Sequence, residues 1–528
     1  MSYYTFFQPY LSPHASNSPI KHMTHTQSPN LFTEYQWTNH THSTPVNALG
    51  PRSQWEQLYS PFPHKLARRN RARRLSHESN ISPLSDRHTE TVPNFHLPDQ
   101  GMLPETAYQM IHDELTLDGH PKLNLATFVT TWMERSADQL YAESFNKNLI
   151  DKCEYQHTAA IEERCVRILA NLWHSPQPHE TMGISTTGSS EACMLGGLAL
   201  KRRWQNARKK KGKPIDQPNI VFSSAVQIVW KKFANYWDVE PRYVNITPEH
   251  PSMDPEAVVA AIDENTIGVV ATLGVTYTGL YEPVDKIAKA LDEFQALTGF
   301  DIPIHVDAAS GGFIAPFLQP DLVWDFKLPR VKSINVSGHK YGLVYPGIGW
   351  IIWREAQDLP EDLIFHVSYL GGNIRTLSLT FSRPSAQVLL QYYNFLRLGK
   401  AGYYQVQSAS QSVALFLSKA IQEIGPFDIF TNGSDIPVLT FRLKEGYTSI
   451  WNLYNLSQQL KRFGWQVPAY SLPPDMENIT IMRVVIRNGF SLNMAQLFLI
   501  NLKQAVTFLD SLDFPIPHDS ECDISIRH

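Results

Sequence analysis

"IPIHVDAASGG" (residues 302–312) reads as a short apolar strand that ends in an acid and then passes into small residues. An ionised carboxylate at the end of a buried strand is costly unless a positive group meets it, so Asp307 calls for a cationic partner. A simpler reading has Asp307 capping the next turn. "TIGVVATLGVTYT" (266–278) is a second β-rich apolar run of the same kind. Helical signals alternate with such runs, as in "PETAYQMIHDELTL" (104–117) and "TAAIEERCVRILANLWH" (158–174). This order predicts an α/β fold built on a mostly parallel sheet. From about residue 393, helices such as "SQSVALFLSKAIQEIG" (410–425) mix with shorter strands, "IPVLTFRL" (436–443) and "ITIMRVVIR" (479–487), which predicts a smaller C-terminal α+β domain.

The chain has 528 residues, 43% hydrophobic and 18% charged, enough to bury a large core. A formal net charge of −4 lacks the basic excess of nucleic-acid binders, and no stretch approaches the ~18 uninterrupted apolar residues of a membrane span. No nucleic-acid or membrane partner is expected. The four cysteines, Cys153, Cys165, Cys193 and Cys522, are too few and scattered for a disulfide scaffold or zinc site, so no metal is expected and a reducing compartment is.

Residues 1–91 differ in character: Ser, Pro, His, Asn and Thr crowd segments such as "SPHASNSPIKHMTHTQSPN" (12–30), with no useful periodicity. Disorder is the expectation there. "MSYYTFFQPYLSP" has neither the basic start nor the apolar run of a signal peptide, which makes a cytoplasmic location the default. Arg68, Arg69, Arg71, Arg73 and Arg74 form a basic cluster before Ser76, readable as a solvated charge run, an import patch, an anionic-surface contact or a kinase site. The reading divides the rest into an N-terminal segment (92–152), a large domain (153–392), a small domain (393–515) and a tail (516–528).

Two further segments carry chemistry. In "STTGSSEACMLGGLALKRRW" (185–204) a polar turn leads into a helix, so Ser189, Ser190 and the first free amides converge on a spot suited to a phosphate; a plain N-cap is the alternative. In "SINVSGHKYG" (333–342) a strand ends at Ser337, His339 and Lys340. A desolvated lysine loses its proton more easily and can attack an aldehyde to give an imine. A phosphate cradle, a buried acid and a strand-end lysine together are what pyridoxal 5′-phosphate requires, with Asp307 keeping the pyridine nitrogen protonated.

Over residues 92–510 the chain resembles the glutamate decarboxylases, pyridoxal-phosphate enzymes of fold type I. The resemblance rests on ordered strings that include "LNLATFVTTWM" (123–133), "NKNLIDKCEY" (146–155), "GSSEACMLGG" (188–197), "VQIVWKKFANYWDVE" (226–240), "GVTYTGLYE" (274–282), "HVDAASGGFIAPF" (305–317), "VWDFKLPRVKSINVSGHKYGL" (323–343) and "YLGGNIRTLSLTFSRP" (369–384). It implies conversion of L-glutamate to 4-aminobutanoate and CO2 through a Schiff base on Lys340; aspartate, cysteine sulfinate and a non-catalytic binding subunit are the alternatives. By the same resemblance the phosphate is held by Ser189, Ser190, Ser337 and His339, with Ser382 supplied by the neighbouring subunit of a homodimer. Gln227 and Ala309 match positions on the two faces of the cofactor ring, and Thr276 one beside its phenolic oxygen. Arg483 matches the arginine that grips the substrate α-carboxylate. Thr127, Phe128, Asn148 and Asp151 match the pocket for the distal carboxylate, although Asp151 also reads as a helix cap. Tyr369 lies on the segment that resembles the family's mobile loop, where a donor returns a proton to the α-carbon. Arg375 and Thr380 depart from the family pattern in that loop. The acidic ending "PIPHDSECDISIRH" differs from the basic helix of calmodulin-binding plant relatives, so no calmodulin control is expected.

Overall fold

The computed structural model describes residues 95–368 and 374–514. The tail, Tyr369 and the C-terminal residues from 515 lie outside them. Residues 95–101 belong to a first unit, Met1–Gly101, and are exposed bends and extended chain; a second compact unit starts at Met102.

A seven-stranded sheet forms the centre of that unit. Its strands are β1 (Gly183–Thr186), β2 (Asn219–Ser223), β3 (Glu240–Val244), β4 (Thr266–Thr272), β5 (Ile304–Asp307), β6 (Val331–Val336) and β7 (Gly349–Trp353). They lie in the order β1-β7-β6-β5-β4-β2-β3, and only β7 runs antiparallel to its neighbours. Every residue of β2, β4, β5 and β7 is buried. Burial on both faces is why these strands read as continuous apolar runs rather than alternating ones.

The helices in chain order are α1 (Pro104–Leu115), α2 (Arg135–Ser144), α3 (Gln156–Leu172), α4 (Ser189–Lys210), α5 (Ile228–Tyr236), α6 (Pro255–Ala261), α7 (Val284–Thr298), α8 (Ala315–Leu318), α9 (Ala386–Gln422), α10 (Leu453–Arg462) and α11 (Leu492–Asp510). α4 lies across β7, β6 and β4, bringing its first turn to the ends of β5 and β6. α9 kinks at Gly399, whose φ of 57° suits a residue without Cβ. Strands β8 (Phe365–Val367) and β9 (Ile374–Thr376) form a hairpin.

The second sheet contains β10 (Phe427–Asn432), β11 (Val438–Leu443), β12 (Ala469–Ser471) and β13 (Thr480–Val485), all antiparallel in the order β10-β11-β13-β12. Leu417, Ile421, Phe441, Leu456, Val484, Phe498 and Leu502 close a core between this sheet and α9, α10 and α11. Arg483 sits on β13, and the fold carries it back to the large sheet, where it bonds the carbonyl of Thr276. Among the described residues no helix is long and apolar enough to cross a membrane, and no group of acidic, His and Cys side chains is arranged to hold a metal.

Candidate active site

The site lies where β4, β5 and β6 end beside the first turn of α4. In a parallel sheet the register sets which side chains emerge together: Thr272 pairs with Asp307, and Asp307 with Asn335. Asp307 is buried, and four donors surround it. Asn335 Nδ2 (3.0 Å) and the Ala309 amide (3.2 Å) donate to Oδ1, while Trp230 Nε1 (2.9 Å) and Cys193 Sγ (3.6 Å) donate to Oδ2. The Ala309 bond is the turn cap that was the simpler reading of Asp307, so the residue caps and still presents a buried carboxylate. It has no ion pair with a basic side chain among the described residues.

The first turn of α4 opens beside the end of β6. The N-cap is Gly188, without a side-chain cap bond, so Ser189 and Ser190 fall inside the first turn rather than capping it. Ser189 Oγ accepts from Ser337 Oγ (2.7 Å) and Asn335 Nδ2 (3.2 Å). A Cβ on Gly188 would approach His339 Cε1 to 3.2 Å, so glycine keeps the loop close to that ring. Burial and the adjacent Lys340 charge push His339 down to about 4, which makes it neutral near pH 7. Its Nδ1 accepts from the Ile348 amide (3.4 Å), leaving the Nε2 proton free to donate.

Lys340 retains some solvent access, yet its amine lies deep. Burial lowers its pKa, the charge of Asp307 opposes that, and Arg483 adds to it. Nζ donates to Ser310 Oγ (3.2 Å) and stands 4.9 Å from the centre of the Phe128 ring. Thr130 clamps the turn, its amide on the His339 carbonyl (2.7 Å) and its hydroxyl on the Lys340 carbonyl (2.8 Å). Arg483 stacks on the same Phe128 ring at 5.1 Å and on Tyr470 at 5.6 Å. Its guanidinium bonds the backbone carbonyls of Thr276 and Ala126, and its buried Nε has no partner among the described residues. Arg487 fastens the neighbouring segment through the carbonyls of Pro121, Asn124 and Val129.

The structure thus gathers Lys340, His339, Asp307, Ser189, Ser337, Ala309, Thr276, Phe128 and Arg483. Gln227 caps α5, its side-chain oxygen taking the Val229 amide (2.6 Å). Thr127 is exposed beside Phe128. Asn148 donates to Ser382 Oγ (3.2 Å) and accepts from the Arg383 amide (3.1 Å). Asp151 is not the N-cap of α3, which is Tyr155; only its backbone serves the turn there. Thr380 and the Leu379 amide approach Glu191, and Arg375 pairs with Glu361 at 3.4 Å on the surface.

Residues not singled out from sequence complete the site: Asn335, Trp230, Cys193, Ser310 and Thr130. Asn335 had a usable signal, because Ser333 and Asn335 alternate along β6 and share a face, with Ser337 one residue beyond the strand end. Trp230 had none, since a tryptophan in an apolar helix reads as core.

A buried carboxylate without a cation, a serine-lined helix start and a desolvated lysine fit a phosphorylated pyridine aldehyde. The sequence profile of the pyridoxal-dependent decarboxylase conserved domain matches residues 98–444. The chain is 52% identical over 432 residues to the glutamate decarboxylase of Aliivibrio fischeri, covering 82% of this chain and 92% of that one. It is 49% identical over 424 residues to that of Solanum lycopersicum, covering 80% and 84%. The solved glutamate decarboxylase of Lactobacillus brevis superposes with a TM-score of 0.78 at 44% identity, over 81% of this chain and 98% of that one. The chain belongs to the pyridoxal-dependent decarboxylases, and within that family to the glutamate decarboxylase group.

Proposed function

We propose that the protein removes the α-carboxylate of L-glutamate as CO2, giving 4-aminobutanoate. The relatives support this reading, and the observation that carries it is Arg483, a buried guanidinium on the Lys340 side of the site with no carboxylate partner among the described residues. A planar cation held by carbonyls is prepared for a carboxylate ligand.

Pyridoxal phosphate, when bound, supplies an electron sink for the pair left as the carboxylate departs. Ser189, Ser190, Ser337 and neutral His339 hold the phosphate, the last through Nε2–H. Asp307 holds a proton on the ring nitrogen, and Gln227 and Ala309 confine the ring. Thr276 lies against Arg483 and sets its place. Lys340 would hold the cofactor at its aldehyde carbon, and its lowered pKa favours the neutral amine, which can serve as a base. Tyr369 returns a proton to the α-carbon. Thr127, Phe128, Asn148 and Asp151 receive the distal end of the substrate.

The active form is a homodimer: Ser382 is exposed, and a second copy presents it to the cradle. The location is cytoplasmic. Purified protein supplied with pyridoxal phosphate and a panel of acidic amino acids should yield 4-aminobutanoate from glutamate as its main product. Faster turnover of aspartate or cysteine sulfinate would displace glutamate, and no amine from any of them would indicate a binding subunit.

A further inference from the structure

Asp307 does not rest on the sheet alone. Among the described residues its Oδ2 faces two donors, the Trp230 indole and the Cys193 thiol. A thiol at 3.6 Å is a weak donor, so the indole N–H at 2.9 Å is the strong contact on that oxygen. Trp230 has no solvent exposure, and among the described residues this is the single hydrogen bond its nitrogen makes. Its ring is fixed by an edge contact with Phe233 (5.8 Å) and a tilted contact with His305 (5.1 Å). It lies in the first turn of α5, three residues after the N-cap Gln227. The opposite oxygen is held by Asn335, whose amide nitrogen faces Asp307 because its Oδ1 is taken by His305 Nε2 at 2.7 Å. Burial pushes His305 down to about 4, so near pH 7 it is neutral; Nε2 carries the proton, and Nδ1 accepts from Ser333 Oγ at 2.7 Å.

We propose that Trp230 is a positioning residue of the reaction: its indole N–H fixes Asp307 Oδ2 and stabilises the carboxylate as the anion that a protonated ring nitrogen requires. The inference rests on the reading of Asp307 as the cofactor's partner. A neutral donor suits the task. A lysine or arginine in the same place would satisfy the carboxylate and compete with the cofactor, whereas an indole holds the anion without cancelling its charge. The thiol cannot replace it, since burial and Asp307 both raise the Cys193 pKa and its S–H remains a weak donor.

The test is a double-mutant cycle of Trp230→Phe and Asp307→Asn, read on cofactor-free protein titrated with pyridoxal phosphate, on the visible absorption of the loaded protein, and on kcat and KM for glutamate. Phenylalanine keeps the contacts with Phe233 and His305 and removes only the donor and part of the ring. Trp230→Phe should weaken pyridoxal phosphate binding and lower kcat, each by roughly tenfold, the loss of one hydrogen bond to a charged group, with KM for glutamate nearly unchanged. It should move the visible band in the same direction as Asp307→Asn does, and it should have little effect in the Asp307→Asn background. Wild-type affinity and spectrum in Trp230→Phe, or an equal effect in both backgrounds, would overturn the proposal. If Asp307→Asn itself changes nothing, the failure lies instead with the cofactor reading. Should Trp230→Phe not fold by circular dichroism, Trp230→Leu, which also lacks a donor, takes its place in the cycle with the same expected and overturning results.

Discussion

Phe128 and Arg483 are stacked, the guanidinium carbon 5.1 Å from the ring centre, and the amine of Lys340 stands 4.9 Å from that same ring. Two cations thus share one phenyl group. Each such contact is worth ~0.5–2 kcal/mol, depending on how dry it is. The ring keeps the two groups in register, and the charge of Arg483 lowers the affinity of Lys340 for a proton.

Replacing Phe128 by Leu keeps the volume nearly constant and removes the π face, so Arg483 should lose its lateral support. KM for glutamate should rise by roughly tenfold, in line with one desolvated cation–π contact, with a smaller change in kcat. Arg483→Lys should be worse, by about a hundredfold in kcat/KM, because an ammonium cannot hold two carbonyls and a carboxylate with one planar fork. Steady-state kinetics of both variants decide this; an Arg483→Lys enzyme with wild-type kcat/KM would remove Arg483 from substrate binding.

Lys340→Ala removes the amine and leaves Ser189, Ser337, His339 and Asp307 in place. Turnover should vanish while pyridoxal phosphate still binds noncovalently, which equilibrium dialysis can measure. Activity within tenfold of wild type would reject the assignment.

Much of this site was legible because its chemistry falls at ends of elements. Ser189 at a helix start, Asp307 at a strand end and Lys340 after β6 each occupy positions that local sequence patterns mark. Arg483 was reached only by resemblance, since nothing in "TIMRVVIR" says that a strand of the second sheet returns to the first. The support of Asp307 was illegible for a different reason. Trp230 and Cys193 look apolar in sequence and become polar partners only when the register of β5 against α4 and α5 brings them to one carboxylate. The neighbourhood of Asn148 and Ser382 is likewise a contact between residues 234 positions apart.

Acid stability should carry the mark of His305. Its pKa is pushed down to about 4 by burial, against an ordinary value of 6.5, so the folded state binds the proton less readily than the unfolded chain. The resulting stability is fully present above about pH 6.5 and is lost as pH falls towards 4, on the order of 3 kcal/mol in all. Glu282 tilts the other way: burial raises it to about 8, so its contribution is present below 4.5 and lost as pH rises through 8. Comparing wild type with His305→Gln isolates the histidine. The variant should be less stable at pH 7 and show a shallower loss between pH 6.5 and 4, read from denaturant midpoints of cofactor-free protein at fixed concentration. Parallel pH curves would show that His305 is not protonated on unfolding in that range.

Substrate length should be read by the groups proposed to meet the distal carboxylate. Arg483 is the proposed partner of the carboxylate that glutamate and aspartate share, whereas Thr127, exposed beside Phe128, and Asn148, bonded to Ser382, are the proposed receivers of the distal one. Shortening the substrate by one methylene leaves those donors facing nothing, which costs more than the ~1–3 kcal/mol of a purely apolar pocket. Aspartate should therefore be at least a hundredfold poorer in kcat/KM, a ratio corresponding to about 2.7 kcal/mol. Thr127→Ala should damage glutamate selectively and narrow that gap, while Arg483→Ala should harm both substrates alike. Competition assays with both amino acids measure the ratio directly. A Thr127→Ala enzyme that keeps the full discrimination would place the distal carboxylate elsewhere, with Asn148 and the Leu379–Ser382 segment as the next residues to vary.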